Sequence, residues 1–113
     1  NALKALLAKV EAGEHTDWRD TVKAIGLRPD DRHMTFQRAY HGSLDAAKAL
    51  HDAVLPEWTP SIGQNMHHKY WRVSVTKIDP EGAAIDWTAQ HDTNPARAWL
   101  IAILKALISE AEQ

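Results

Sequence analysis

The chain is expected to form one α+β domain: N-terminal helices, a further helix, a three-stranded antiparallel sheet, and a long buried C-terminal helix packed on one sheet face. Three observations predict this. Apolar residues recur at helical spacing up to Leu55, and beyond Pro56 the period changes to strict alternation. Asn94-Pro95 then opens a last helix whose apolar arc is wider than one packed surface requires. A length of 113 residues suits a single domain, 1–113, with a helical part at 1–42 and a helix-strand-strand-strand-helix core at 43–113.

Taken in order, Ala2 to Ala12 places Leu3, Leu6, Leu7 and Val10 on one stripe, with Gly13 just past its end. Asp17 can cap a second short helix carrying Trp18, Val22 and Ile25, which Gly26 and Pro29 terminate. Arg28 to His33 reads as a polar loop and Met34 to Tyr40 as a third helix. Ser43 caps a fourth, from Leu44 to Leu55, stopped by Pro56. Trp58 to Ile62 suits a short edge strand, because Pro60 has no donor and is tolerated best at an edge.

Tyr70 to Ile78 alternates Trp71, Val73 and Val75 against Tyr70, Arg72, Ser74 and Thr76. Asp79-Pro80-Glu81-Gly82 is a turn, and Ala84 to Ala89 returns with Ile85, Trp87 and Ala89 against Asp86 and Thr88. The last helix runs from Pro95 to about Glu112. Trp99, Leu100, Ile101, Ile103, Leu104, Leu107 and Ile108 spread around it, so it needs cover from two sides. The sheet's Trp71, Val73, Ile85 and Trp87 supply one. Leu3, Leu7 and Val10, or the same helix of a second copy, supply the other.

Composition narrows the function classes. A net charge of -2 and a sequence pI of about 6.4 leave no basic excess for nucleic acid, so binding to nucleic acid is not expected. The chain has no cysteine, which excludes disulfides and thiolate zinc and fits the cytoplasm of a host cell. Its longest apolar run, Ala98 to Leu104, is far below the roughly 20 residues of a membrane span. No charged-then-apolar leader is apparent, and a start at Asn1 rather than Met points to a trimmed beginning.

Two stretches carry a resemblance. His41-Gly-Ser-Leu-Asp-Ala-Ala-Lys-Ala-Leu-His-Asp-Ala-Val-Leu-Pro-Glu-Trp58 and Thr93-Asn-Pro-Ala-Arg-Ala-Trp-Leu-Ile-Ala-Ile-Leu-Lys-Ala-Leu107 resemble the small phage and prophage proteins of the "phage ABA sandwich domain" type. The elements shared are the helix opened by Ser43 to Asp45, the Leu55-Pro56-x-Trp58 exit and the Asn94-Pro95 cap. The resemblance implies an accessory protein of a phage or prophage and carries no catalytic residues. The family's label implies helices on both faces of the sheet. Here the face bearing Tyr70, Arg72, Ser74, Thr76, Asp86 and Thr88 is too polar for a conventional core, so it is expected to stay open or only partly covered.

Several constellations invite chemistry. Pairing about the Pro80 turn would bring His91 and Asp92 near His67 and His68, a donor set suited to a zinc-like ion. The plainer reading is a solvated loop end. No nucleophile elbow, Walker loop, dinucleotide fingerprint or His-Glu-x-x-His is present, and Ser43 serves most simply as a cap, so catalysis is not expected. Two helices between Asp17 and Tyr40, the second with Arg32, Gln37 and Arg38, outline a helix-turn-helix that Asp30 and Asp31 oppose.

The function expected is therefore non-catalytic binding of a host or phage protein, with an inhibitor of host antiviral defence, of the anti-CRISPR kind, as its sharpest form. Trp58, Tyr70, Arg72, Thr76 and Asp86 are the candidate contact residues. The rivals are a self-associating phage scaffold, a homodimer through the C-terminal helix, and a metal or small-ligand protein built on the histidines.

Overall fold

The helices begin and end where the chain's own capping groups place them. The computed structural model describes residues 1–25, 29–64, 67, 70–91 and 93–112, without the side chains of Trp18 and residues 29–33. Its elements are α1 (Ala2–Ala12), α2 (Trp18–Ile25), α3 (Pro29–Tyr40), α4 (Leu44–Val54), β1 (Thr59–Gln64), β2 (Trp71–Ile78), β3 (Ala84–His91) and α5 (Pro95–Ala111). Asn1 Oδ1 accepts the N–H groups of Leu3 and Lys4, and Gly13, at φ 73°, closes α1 in the left-handed conformation.

Asp17 and Asp20 start α2 as a reciprocal pair. Asp17 Oδ1 accepts the N–H of Asp20 at 3.0 Å, and Asp20 Oδ2 accepts that of Asp17 at 3.2 Å. Lys9 Nζ also reaches Asp20 Oδ2, at 3.0 Å, and ties α1 to α2. The Asp17 N–H, and after it the Lys9 ammonium, hold the Asp20 carboxyl below the usual aspartate range. A lowered folded value means that this stabilisation is present above the unfolded carboxylate pKa of roughly 4 and is lost as pH falls through the folded one. Asp20→Asn, which keeps an accepting oxygen and removes the charge, should thus cost about 0.5 kcal/mol at pH 7, the usual size for a partly solvated ion pair. Urea titrations should show that difference shrinking as pH falls below about 4 and on through the folded value.

The third helix corrects the sequence reading. Residues 29–33 are the first turn and more of α3 rather than a loop, because Pro29 occupies the first helical position, where a missing N–H removes no bond. Gln37 Nε2 and Tyr40 Oη of the same helix donate to Thr16 O and Glu14 O, fastening the α1–α2 connection. Ser43 Oγ accepts the Ala46 N–H to cap α4, and the strand after it begins at Thr59 rather than Trp58.

The sheet order is β1-β2-β3, antiparallel throughout. Val73 pairs with Ile62 on one side and Ala89 on the other; Ser74 pairs with Ser61 and Thr88. Gly82, at φ +88°, closes the β2–β3 turn by donating to Asp79 O. Strand parity puts Val73, Val75 and Ala89 under α5, all nearly inaccessible. Helix α5 is buried around most of its circumference, as its wide apolar arc requires. It packs on β2 and β3 on one side and on α1, α3 and α4 on the other.

Helical periodicity shows which side is which. Lys105 reaches the Thr88 carbonyl of β3, and Glu110 accepts from Lys77 of β2, so the arc between these residues faces the sheet. That arc carries Ala98, Ala102 and Ala106, all fully buried. Small side chains there permit a close approach to Val73, Val75 and Ala89, and a turn of about 100° per residue puts Leu100 and Leu104 on the side away from the sheet. Both helical covers come from this chain, with Leu6 and Val10 of α1 about 1% exposed. Ala98, Leu100, Ala102, Leu104 and Ala106 of α5 are therefore buried without a second copy. Among the described residues no helix is long and apolar enough to cross a membrane.

Candidate functional site

Alternation along three strands makes the two sides of the sheet chemically different. Opposite α5 lie Thr59, Ser61 and Gly63 of β1, Arg72, Ser74 and Thr76 of β2, and Asp86, Thr88 and Gln90 of β3. Among the described residues no helix packs on this side. Cross-strand hydrogen bonds fix its side chains: Ser74 Oγ lies 3.0 Å from Thr88 Oγ1, and Thr76 Oγ1 donates to Asp86 Oδ1 at 2.9 Å. These pairs carry no net positive charge. Among the described residues the cation of the face is Arg72.

Arg72 stands directly across from Gly63 in the register, where no side chain fills the space. A hollow of about 340 Å³ results, lined by Ser61, Gly63, Gln64, Tyr70, Arg72 and Ser74. Among the described residues its lining contains one guanidinium, three hydroxyl groups and an amide, but no carboxylate. Arg72 is exposed, and its guanidinium makes no hydrogen bond or ion pair among the described residues. A planar fork of five donors without an acceptor is suited to a carboxylate brought by another molecule.

The sheet's two edges are less receptive. Pro60 removes a donor from β1, and Lys105 Nζ occupies the Thr88 carbonyl of β3 at 3.1 Å. Both devices discourage strand addition and leave the open face as the accessible feature of the sheet.

The proposed contact residues separate on these coordinates. Tyr70, Arg72, Thr76 and Asp86 lie together on or beside the open face. Trp58 does not: it is 4% exposed, and its indole Nε1 donates to Glu110 Oε1 at 2.7 Å. The exit from α4 turns this residue into the core, so its earlier reading as a surface contact is corrected. Ser61, Gly63 and Gln64 were missed, although extending the alternation of β1 two residues would have put Ser61 and Gly63 on the same face as Ser74 and Arg72, their respective partners in the register.

Beneath Trp58 lies a polar group that its sequence surroundings did not flag. His51, 1% exposed, uses both ring nitrogens. Trp99 Nε1 can only donate, so His51 Nδ1 accepts at 3.2 Å, and Nε2 carries the hydrogen given to Trp58 O at 2.7 Å. A continuous path then runs through Trp58 to Glu110, which Lys77 also contacts at 3.5 Å. The arrangement joins α4, both halves of α5 and β2. It is structural, since every polar atom named in it is turned inward or paired.

The histidine cluster receives less support. His67 is exposed, while His68 and Asp92 lie outside the described residues. His91 Nδ1 accepts the N–H groups of Asn94 at 3.0 Å and Thr93 at 3.3 Å, which in the neutral ring puts the hydrogen on Nε2. Ligation of a zinc-like ion would require His91 to surrender those bonds or change tautomer. Among the described residues no group of three metal-ligating side chains meets.

The helix-turn-helix outline likewise loses a base-reading residue, because Gln37 Nε2 donates to Thr16 O and Oγ1 at 2.9 and 2.8 Å. Ser43, the serine weighed as a nucleophile, accepts the Ala46 N–H as a cap. Compared with known proteins, the chain matches no family model, no curated protein and no solved structure.

Proposed function

We propose that this chain is a non-catalytic binding protein that docks face-on to another protein through its open sheet side, with Arg72 receiving an acidic group of the partner. The observation that carries this reading is the Arg72 guanidinium over the Gly63 gap, unpaired among the described residues. Fixed Ser74–Thr88 and Thr76–Asp86 pairs extend the surface beside it. The resemblance of residues 43–113 to phage accessory proteins supports a partner in an infected host cell. Inhibition of a host antiviral defence, of the anti-CRISPR kind, is the specific form proposed.

A charge reversal tests the surface directly. Wild-type protein and Arg72→Glu should have thermal midpoints within a few degrees, because the side chain is exposed and makes no bond among the described residues. Capture of the partner from host lysate should fall at least about tenfold for Arg72→Glu, as for loss of a central interface charge. Hydrogen exchange on the captured complex should show protection across β2 and β3. The same partner held equally by Arg72→Glu and by Thr76→Lys would reject this face.

A further inference from the structure

Trp87 is on the opposite side of β3 from Asp86 and Thr88, so sequence parity assigns it to the core. It is instead 37% exposed, whereas Ala89, two residues along the same face, is 4% exposed. The close-packed alanine arc of α5 covers Ala89 and leaves Trp87 at the rim. There Trp87, Leu7 of α1 and Ile108 of α5 wall a groove of about 560 Å³, within the roughly 300–1,000 Å³ typical of small-molecule sites.

Charge at the rim is unequal. Lys4 is neutralised by Glu112 at 2.7 Å. Lys105 donates only to the uncharged Thr88 carbonyl, and among the described residues no carboxylate pairs with it. An apolar trough with one uncompensated ammonium at its edge fits a molecule having an apolar body and a single negative head.

We propose that this groove is a small-ligand site for an amphiphilic carboxylic acid. The acid's alkyl or aryl body lies on Trp87, Leu7 and Ile108, and its carboxylate faces Lys105. The site is separate from the open sheet face, so it stands or falls independently of the partner reading above.

Nitrogen-detected NMR titrations with decanoate, decanol and decyltrimethylammonium, each below its self-association concentration, test the assignment through the Trp87 indole N–H. Decanoate should bind saturably and about fivefold more tightly than decanol, as expected for one partly exposed ion pair, with the cation weakest. Lys105→Gln should abolish the carboxylate's advantage while leaving decanol binding in place. Trp87→Ala should weaken all binding at least about tenfold, and Arg72→Ala should leave it unchanged. The proposal is overturned by the absence of a saturable Trp87 shift at millimolar decanoate, or by equal binding of anion and cation. Shifts spread over the whole chain with loss of dispersion, as in surfactant unfolding, would overturn it as well.

Discussion

Replacing His51 by alanine should lower the unfolding free energy by about 4 kcal/mol, combining two stranded polar groups with a buried cavity. The Trp99 indole N–H and the Trp58 carbonyl both lose their partner in this variant. At the scale of a domain this size the thermal midpoint should drop by roughly 15–20 °C. His51→Leu separates the contributions. It refills much of the volume and should recover the cavity part, yet remain about 2 kcal/mol below wild type because the polar atoms stay unpaired. Denaturant titrations with an unchanged slope would measure both losses. A leucine variant as stable as wild type would show that the ring acts only by filling space.

The second large effect concerns α5, where opposite kinds of substitution should fail on opposite sides. Leu100→Ala, toward the helices, opens a hole at a fully buried position and should cost about 3–4 kcal/mol. Ala102→Leu, toward the sheet, adds volume where the backbone layers approach closely and should cost about 2–3 kcal/mol. Their consequences differ in place as well as size. The leucine at position 102 should lift α5 and broaden the amide signals of β2 and β3, whereas Leu100→Ala should perturb α1 and α4. If Ala102→Leu proves neutral, the close approach of helix and sheet is wrong.

These features differ in how far sequence periodicity can reach them. The helix of residues 95–111 and strands β2 and β3 were legible because their side chains alternate or recur without interruption, and their caps and turn are local. The beginning of α3 was not, since Pro29-Asp30-Asp31-Arg32-His33 has no apolar stripe to report a helix. Parity assigned Trp87 to the correct side of β3 but could not say where along that strand the cover of α5 ends. Trp58 was read as available for contact because strand and loop positions adjoin there, and its fate depends on Glu110, 52 residues away.

His51 illustrates a signal that was present but overlooked. It lies four residues after Ala47 and three before Val54, on the apolar arc of α4, where spacing alone would bury it. What spacing could not supply was the identity of its partners, Trp99 and Trp58, which come from separate elements. The polar face was visible as a pattern in Arg72, Ser74 and Thr76. The hollow beside it was not, because it depends on the glycine of an edge strand being brought across from Arg72 by pairing.

The tight seating of α5 bears on that hollow in another way. A pleated sheet is one backbone thick, so Val73 and Val75, clamped beneath the helix, are the chain neighbours of Arg72, Ser74 and Thr76 on the outside. The exterior residues are thus carried on backbone whose inner side chains are packed in the core, and the proposed partner would meet strands held from behind. Association of that kind forfeits little conformational entropy on this side. Any slow step in recognition would then belong to the visitor or to the Arg72 side chain, and a loosened core should register as a slower encounter before the surface itself had changed.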